Sequence, residues 1–155
     1  MIITHMSFAL FIALLITNYI NIPAINTPVG KYFLIVFTLL GSLVPDIDAA
    51  DSIIGRKFKP ISMFLRHRGF FHSIILMVIL GILMFIITQN SYYTLAIMLG
   101  FVSHLVMDGL TRAGIPAFWP SKLRIRGRFR TRSLSDWLLF LVFGIMDLLY
   151  LFLIL

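Results

Sequence analysis

The stretch HSIILMVILGILMFIITQNSYYTLAIMLGFVSHLVMD, residues 72–108, decides the fold. It opens on His72, runs apolar to Thr88, turns through Gln89-Asn90-Ser91, and runs apolar again to His104 and Asp108. Polar turn residues between two long apolar runs predict a tight helical hairpin. The two open ends of a hairpin lie on one side, so His72, His104 and Asp108 are expected there together. His104 and Asp108 stand four apart, which puts them on one face of a helix. A buried hydrogen-bonded pair is the plainer reading of those two residues taken alone.

Hydropathy extends the pattern outward to five segments: about Met6–Ile22, Lys31–Val44, Phe70–Thr88, Tyr92–Leu110 and Leu134–Leu155. The chain is 60% hydrophobic and 12% charged, with mean hydropathy +1.01, which excludes a soluble domain of this size. The expected fold is an all-α integral membrane protein, a bundle of about five transmembrane helices, in one membrane-embedded domain over residues 1–155. The second segment is short for a bilayer core of about 20 residues. It is expected to lie between other helices, where that requirement relaxes. The first apolar run follows no Lys or Arg and leads to no small-residue cleavage site, so a retained helix is expected.

Charge orients the helices. Arg56, Lys57, Lys59, Arg66 and Arg68 fall in residues 46–69; Arg112, Lys122, Arg124, Arg126, Arg128, Arg130 and Arg132 fall in residues 111–133. The turns at 21–30 and 89–91 carry no Lys or Arg. The positive-inside rule then puts both basic segments, and the N-terminus, on the cytoplasmic face of the plasma (inner) membrane. On so apolar a chain a net charge of +7 points to anionic lipid headgroups rather than to nucleic acid.

The histidines and most aspartates collect on that same side. His5 opens the first segment, Asp46 and Asp48 close the second, His67 and His72 open the third, and His104 and Asp108 close the fourth. Ionisable residues at membrane depth are costly and mark functional sites. Imidazole and carboxylate are ligands of zinc-type ions, and the absence of cysteine excludes thiolate ligation. These seven residues would suffice for one divalent ion or two, zinc first among the candidates. Gly69 allows a bend that could bring His67, on a loop, toward His72 in the first helical turn. Arg66 and Arg68, with Arg112, are the candidates to neutralise a phosphate. There is no Glu, so a carboxylate base would have to be Asp, or a metal-bound water would have to do that work.

Arg124, Arg126, Arg128, Arg130 and Arg132 alternate strictly, so an extended chain would point all five one way, toward a lipid surface or a phosphorylated headgroup. Ser133-Leu-Ser135-Asp136 reads as capping of the last helix. Asp51 reads as a loop residue. Asp147, inside the last segment, reads as a buried hydrogen-bonding group.

His5, Leu-Val-Pro-Asp46-Ile-Asp48, His67-Arg-Gly-Phe-Phe-His72-Ser and Gly100-Phe-Val-Ser-His104-Leu-Val-Met-Asp108-Gly-Leu-Thr-Arg-Ala-Gly114 occur in this order. Together, over roughly residues 1–130, they resemble the membrane-bound metal-dependent hydrolase family, one member of which is described as LexA-binding. Members of that family often carry a histidine where this chain has Ala49 and a threonine where it has Phe71. At the level of ligand chemistry alone, the His-x-x-x-Asp pair is also similar to helical zinc-dependent phospholipases C.

The expected function is therefore metal-dependent hydrolysis of a phosphoester on a membrane lipid or lipid-linked substrate, with lipid as the first partner. The alternative is a non-catalytic adaptor that holds a protein partner through the Arg-rich loop. A transporter ranks third, because only Asp147 lies deep in an otherwise apolar interior.

Overall fold

Thr27 opens the second helix by accepting a hydrogen bond from Gly30 N on its side chain, with Pro28 at the first helical position, where its missing N–H costs nothing. Ser73 starts the next long helix in the same way, accepting from Leu76 N at 3.3 Å. Gln89 ends it in a left-handed conformation, and the Asn90 side chain accepts from Tyr92 N at 2.9 Å to start the helix after it. The expected hairpin is thus closed by two local caps. A computed structural model describes residues 2–21, 23, 25–49, 68–131 and 133–154.

Among the described residues there are five α-helices and no strands: α1 (Ile2–Tyr19), α2 (Pro28–Leu43), α3 (Ile74–Thr88), α4 (Ser91–Gly109) and α5 (Leu134–Ile154). Short 3-10 turns cover Pro45–Asp48 and Phe70–His72. Among the described residues, three helical stretches are long and apolar enough to cross a membrane: Ile2–Tyr19, Pro28–Asp48 and Leu134–Phe152. The second reaches 21 residues because the 3-10 turn continues α2. It packs against both α1 and α4 and leaves Val29, Tyr32 and Leu40 exposed. α3 is shorter, at 15 apolar residues.

α4 is the central helix. It packs on α1, α2 and α3, and its closest partner is α2. At their crossing a Cβ on Gly100 would fall 1.8 Å from Thr38 O, and one on Gly41 would fall 2.1 Å from Ile97 O. Only glycine allows that approach, which is how membrane helices gain packing without a hydrophobic drive between them. α1 and α5 run parallel, with Thr4 Oγ1 donating to Asp136 Oδ1 at 2.8 Å near one end and Tyr150 facing Tyr19 across 3.5 Å near the other. The outward faces of α3 and α5 are apolar, with Ile82, Ile86, Leu141, Leu148 and Phe152 all exposed. Such faces suit lipid.

Residues 110–131 fold back under the end where α4 finishes. Ile115 and Ile125 exchange backbone hydrogen bonds at 3.0 and 2.9 Å, and Arg112 N donates to Phe129 O at 2.8 Å. Ala117 O accepts from Ile74 N at 2.9 Å, which ties this cap to the start of α3. Ile115 and Ala117 of this cap pack with Phe101 and Leu105 of α4 in one apolar core.

Some boundaries differ from the sequence reading. α1 begins at Ile2, so His5 lies inside it, because Thr4 and His5 are buried by the bundle rather than left at its entrance. His72 belongs to a 3-10 turn before the Ser73 cap, not to the first turn of α3. The Ser133 hydroxyl donates to Arg130 O, and the Ser133 carbonyl accepts from Asp136 N at 3.0 Å in the first turn of α5.

Candidate metal centre

The crossing of α2 and α4 builds the site from beneath. One turn beyond Gly100, His104 Nδ1 donates to the backbone carbonyl of Ser42 at 2.7 Å. That bond leaves Nε2 as the lone-pair nitrogen and fixes the ring's direction, as carbonyl partners do for metal-ligating histidines. Nε2 is buried and makes no hydrogen bond among the described residues. It points at two carboxylates, Asp46 Oδ1 at 3.7 Å and Asp108 Oδ2 at 3.8 Å.

The other side chains close around it. His72 Nε2 lies 3.2 Å from Asp108 Oδ2, and His72 Nδ1 lies 3.5 Å from Asp48 Oδ2. His5 Nε2 lies 3.3 Å from Asp108 Oδ1, across 103 residues of sequence. The His5 and His72 rings flank His104 at centroid distances of 4.3 and 5.4 Å. The structure therefore brings together six of the seven expected ligands: His5, Asp46, Asp48, His72, His104 and Asp108. His67 and Arg66 lie outside the described residues, as do Asp51 and Arg132.

Two sets of three, His5–His104–Asp108 and Asp46–His72–His104, hold ligand atoms within 4.8 Å of one another. Metal bonds of about 2.0–2.2 Å in a tetrahedron separate neighbouring ligand atoms by about 3.4 Å. The 3.2, 3.7 and 3.8 Å spacings around Asp108 Oδ2 and His104 Nε2 bracket that value. Both sets draw on the same His104 nitrogen, since Nδ1 is already engaged. The donor set fits one small divalent ion.

Asp48, at 1% exposure, also accepts from Arg68 N at 3.2 Å, so its carboxylate orients His72 and the chain at Arg68. Burial works against a charged His72. The acceptors Asp108 and Asp48 outweigh it and push that imidazole up to about 9.

The arginines depart from expectation. Arg68 is buried, donating to Asp108 Oδ1 at 2.7 Å and to Thr111 Oγ1 at 3.1 Å, so it is a built-in partner of the cluster rather than a free phosphate clamp. Arg112 is exposed and donates to Arg128 O at 3.2 Å, away from the cluster. The Arg124–Arg132 run is not one extended face. Arg124 turns inward to Arg68 O and Gly114 O, both at 3.3 Å, while Arg126, Arg128 and Arg130 are exposed. Asp147 is buried at 5% exposure, and its Oδ1 finds no hydrogen bond among the described residues, contrary to the hydrogen-bonded role expected of it. Sequence reasoning missed Thr111 and the Ser42 carbonyl, because a backbone acceptor carries no residue-type signal.

The sequence of the YdjM inner membrane protein family matches residues 1–154, which takes in every one of these side chains. The chain belongs to that family. The chain is 36% identical over 91 residues to the uncharacterized protein YvsG of Bacillus subtilis (strain 168), covering 56% of this chain and 57% of YvsG. It is 34% identical over 97 residues to inner membrane protein YdjM of Escherichia coli (strain K12), covering 57% of this chain and 50% of YdjM. The Shigella flexneri protein of that name matches to the same extent. In these alignments the chain spans only 50–57% of the length of the curated relatives it matches. No solved structure matches it. Family membership and the apolar helices make this a membrane protein.

Proposed function

We propose that this chain is a membrane-embedded, metal-dependent hydrolase that cleaves a phosphoester of a membrane lipid or lipid-linked substrate. The observation that carries the reading is His104: a buried ring whose Nδ1 is anchored on Ser42 O and whose Nε2 lies within 4 Å of the Asp46 and Asp108 carboxylates, with His5 and His72 beside it. One divalent ion, zinc first among candidates, would be held by Asp46, His72, His104 and Asp108, with His5 beside Asp108. Such an ion, when bound, acts as a Lewis acid and lowers the pKa of water at the site.

The chain's own residues supply the rest. Asp48 and the Ser42 carbonyl hold His72 and His104 in register. Asp46 has 16% side-chain exposure, more than Asp48 or Asp108, and its carboxylate oxygen not turned to His104 would take the proton of an attacking water. The Arg68 guanidinium, held on Asp108 and Thr111, would add positive charge at the cluster toward the phosphoryl oxygens without clamping the phosphate itself. The polar end of the bundle carries the basic cap, which supports a cytoplasmic site, a cytoplasmic N-terminus and a substrate drawn from the headgroup layer.

The test is elemental analysis of detergent-purified protein beside a His104→Ala/Asp108→Ala double variant. Near-stoichiometric zinc, manganese or iron in the parent, lost in the variant, supports the reading and justifies a phospholipid-hydrolysis screen. A parent that stays metal-free after reconstitution overturns it.

A further inference from the structure

The cap over residues 110–131 forms no helix, yet it keeps large apolar side chains in the open. Phe118, Trp119, Leu123, Ile125 and Phe129 are all exposed, Leu123 the most at 74%. Single exposed apolar residues are ordinary, but five between positions 118 and 129 call for something to cover them. Among them Lys122, Arg126, Arg128 and Arg130 are exposed too, and the cap contains no Asp or Glu. Its position narrows the choice of cover. Ala117 O accepts from Ile74 N, and the Trp119 ring meets Phe70 edge-on at 5.1 Å, so Phe118 and Trp119 stand beside the first turn of α3. From there Ile75, Val78 and Ile79 continue as an exposed apolar face. At its other end the cap runs into α5, where Leu134 and Trp137 are exposed. Both ends of the cap therefore lie where apolar helical faces begin, each marked by an exposed tryptophan, the residue that favours the headgroup level of a bilayer.

We infer that the cap lies in the headgroup layer of the leaflet it borders and selects anionic lipid there, with Phe118, Trp119 and Leu123 dipping to the acyl boundary and Lys122, Arg126 and Arg128 on lipid phosphates. Cations interleaved with aromatic and aliphatic side chains are the composition of segments that rest in a membrane interface. A nucleic acid would engage the cations and leave Phe118 and Leu123 bare. A soluble protein would have to displace the bilayer from rings that stand next to it. Each Lys or Arg held near a membrane surface favours anionic over zwitterionic lipid roughly fivefold, so a few such contacts are enough to select the headgroup. The inference stands apart from the hydrolase reading, and it removes the surface on which a non-catalytic adaptor would hold a protein partner.

Trp119 and Trp137 are the two tryptophans of the chain, so Trp137→Phe leaves Trp119 as the sole reporter. The full chain is reconstituted in phosphatidylcholine vesicles that contain a minor fraction of either phosphatidylglycerol or phosphatidylcholine brominated on its acyl chains. Trp119 emission is read in each, and again with acrylamide in the water. Brominated phosphatidylglycerol should quench strongly, brominated phosphatidylcholine less, and acrylamide little. Lys122→Gln/Arg126→Gln/Arg128→Gln changes only exposed side chains and should bring the two lipids to equal quenching. Trp119→Phe, with Trp137 kept, reports from α5 and should be quenched by lipid with or without the three glutamines, which shows that the bundle is folded and inserted. A Trp119 quenched by acrylamide and by neither lipid, beside a lipid-quenched Trp137, overturns the inference and leaves the cap to a soluble partner. Equal quenching of Trp119 by the two lipids in the unsubstituted cap overturns it as well, since its cations would then select nothing.

Discussion

His104 Nδ1 lies 2.7 Å from the carbonyl oxygen of Ser42, so a backbone group of α2 aims a side chain of α4. The geometry depends on how close the two helices come, and that closeness depends on Gly41 and Gly100. Site and fold are therefore coupled at one crossing.

Gly100→Val should break that coupling. Its Cβ would meet Thr38 O at 1.8 Å, and backbone cannot move aside as a side-chain tip can. Overpacking costs about 1–3 kcal/mol, and this backbone clash belongs at the upper end or beyond. Thermal unfolding in detergent should show the loss, with metal uptake falling alongside. Unchanged stability and uptake would mean that α2 and α4 do not cross there.

Asp48→Asn keeps the shape of the side chain but weakens its hold on His72 Nδ1, 3.5 Å away. Replacing a group that orients a ligand typically lowers metal affinity 10–100-fold. Isothermal titration with zinc should find a loss of that order, with binding still measurable. Complete loss would make Asp48 a direct ligand.

Arg68→Ala removes the cation bonded to Asp108, a pair with side-chain exposures of 9% and 2%. Breaking a buried pair from one side costs about 3–5 kcal/mol, because the remaining charge is left uncompensated. A divalent ion can take over that compensation. The variant should therefore lose much more melting temperature without metal than with it, and an equal loss in both conditions would argue against an ion at Asp108.

His72 gives the site a pH dependence. Its imidazole is raised from 6.5 to about 9, against desolvation, by Asp108 and Asp48, while the His104 ring also faces it. Because the folded value lies above the unfolded one, the stability it contributes is full below about pH 6.5 and is lost as pH rises through about 9. Ligation needs the neutral ring, so metal affinity should move the opposite way and rise across that window. Melting temperatures of chelator-treated protein at pH 6 to 10 test the first half, with His72→Gln flattening the slope.

The helices and the polar end of the bundle were legible because both are written in single-residue properties. Apolar runs mark α1 to α5, and the basic segments mark one side. His104 and Asp108 pair through a fixed helical spacing, so they too could be read directly. The start of α1 could not, since Thr4 and His5 look like an entrance until Asp136 and Asp108 are known to lie beside them. Nor could the fates of Arg68, Arg112 and Arg124. Three arginines of one type became a buried ion pair, an exposed loop residue and a backbone tie, according to contacts 16 to 56 residues away in sequence.

The contact between His5 and Asp108 also has a meaning for biosynthesis. Its partners are separated by 103 residues, with α2, α3 and nearly all of α4 between them. The first histidine to leave the ribosome must therefore wait until the fourth helix has been made before its partner arrives. A helix threaded in the wrong direction would carry its share of the cluster to the opposite leaflet. The cluster is therefore complete only when all of these helices stand with their histidine- and aspartate-bearing ends together.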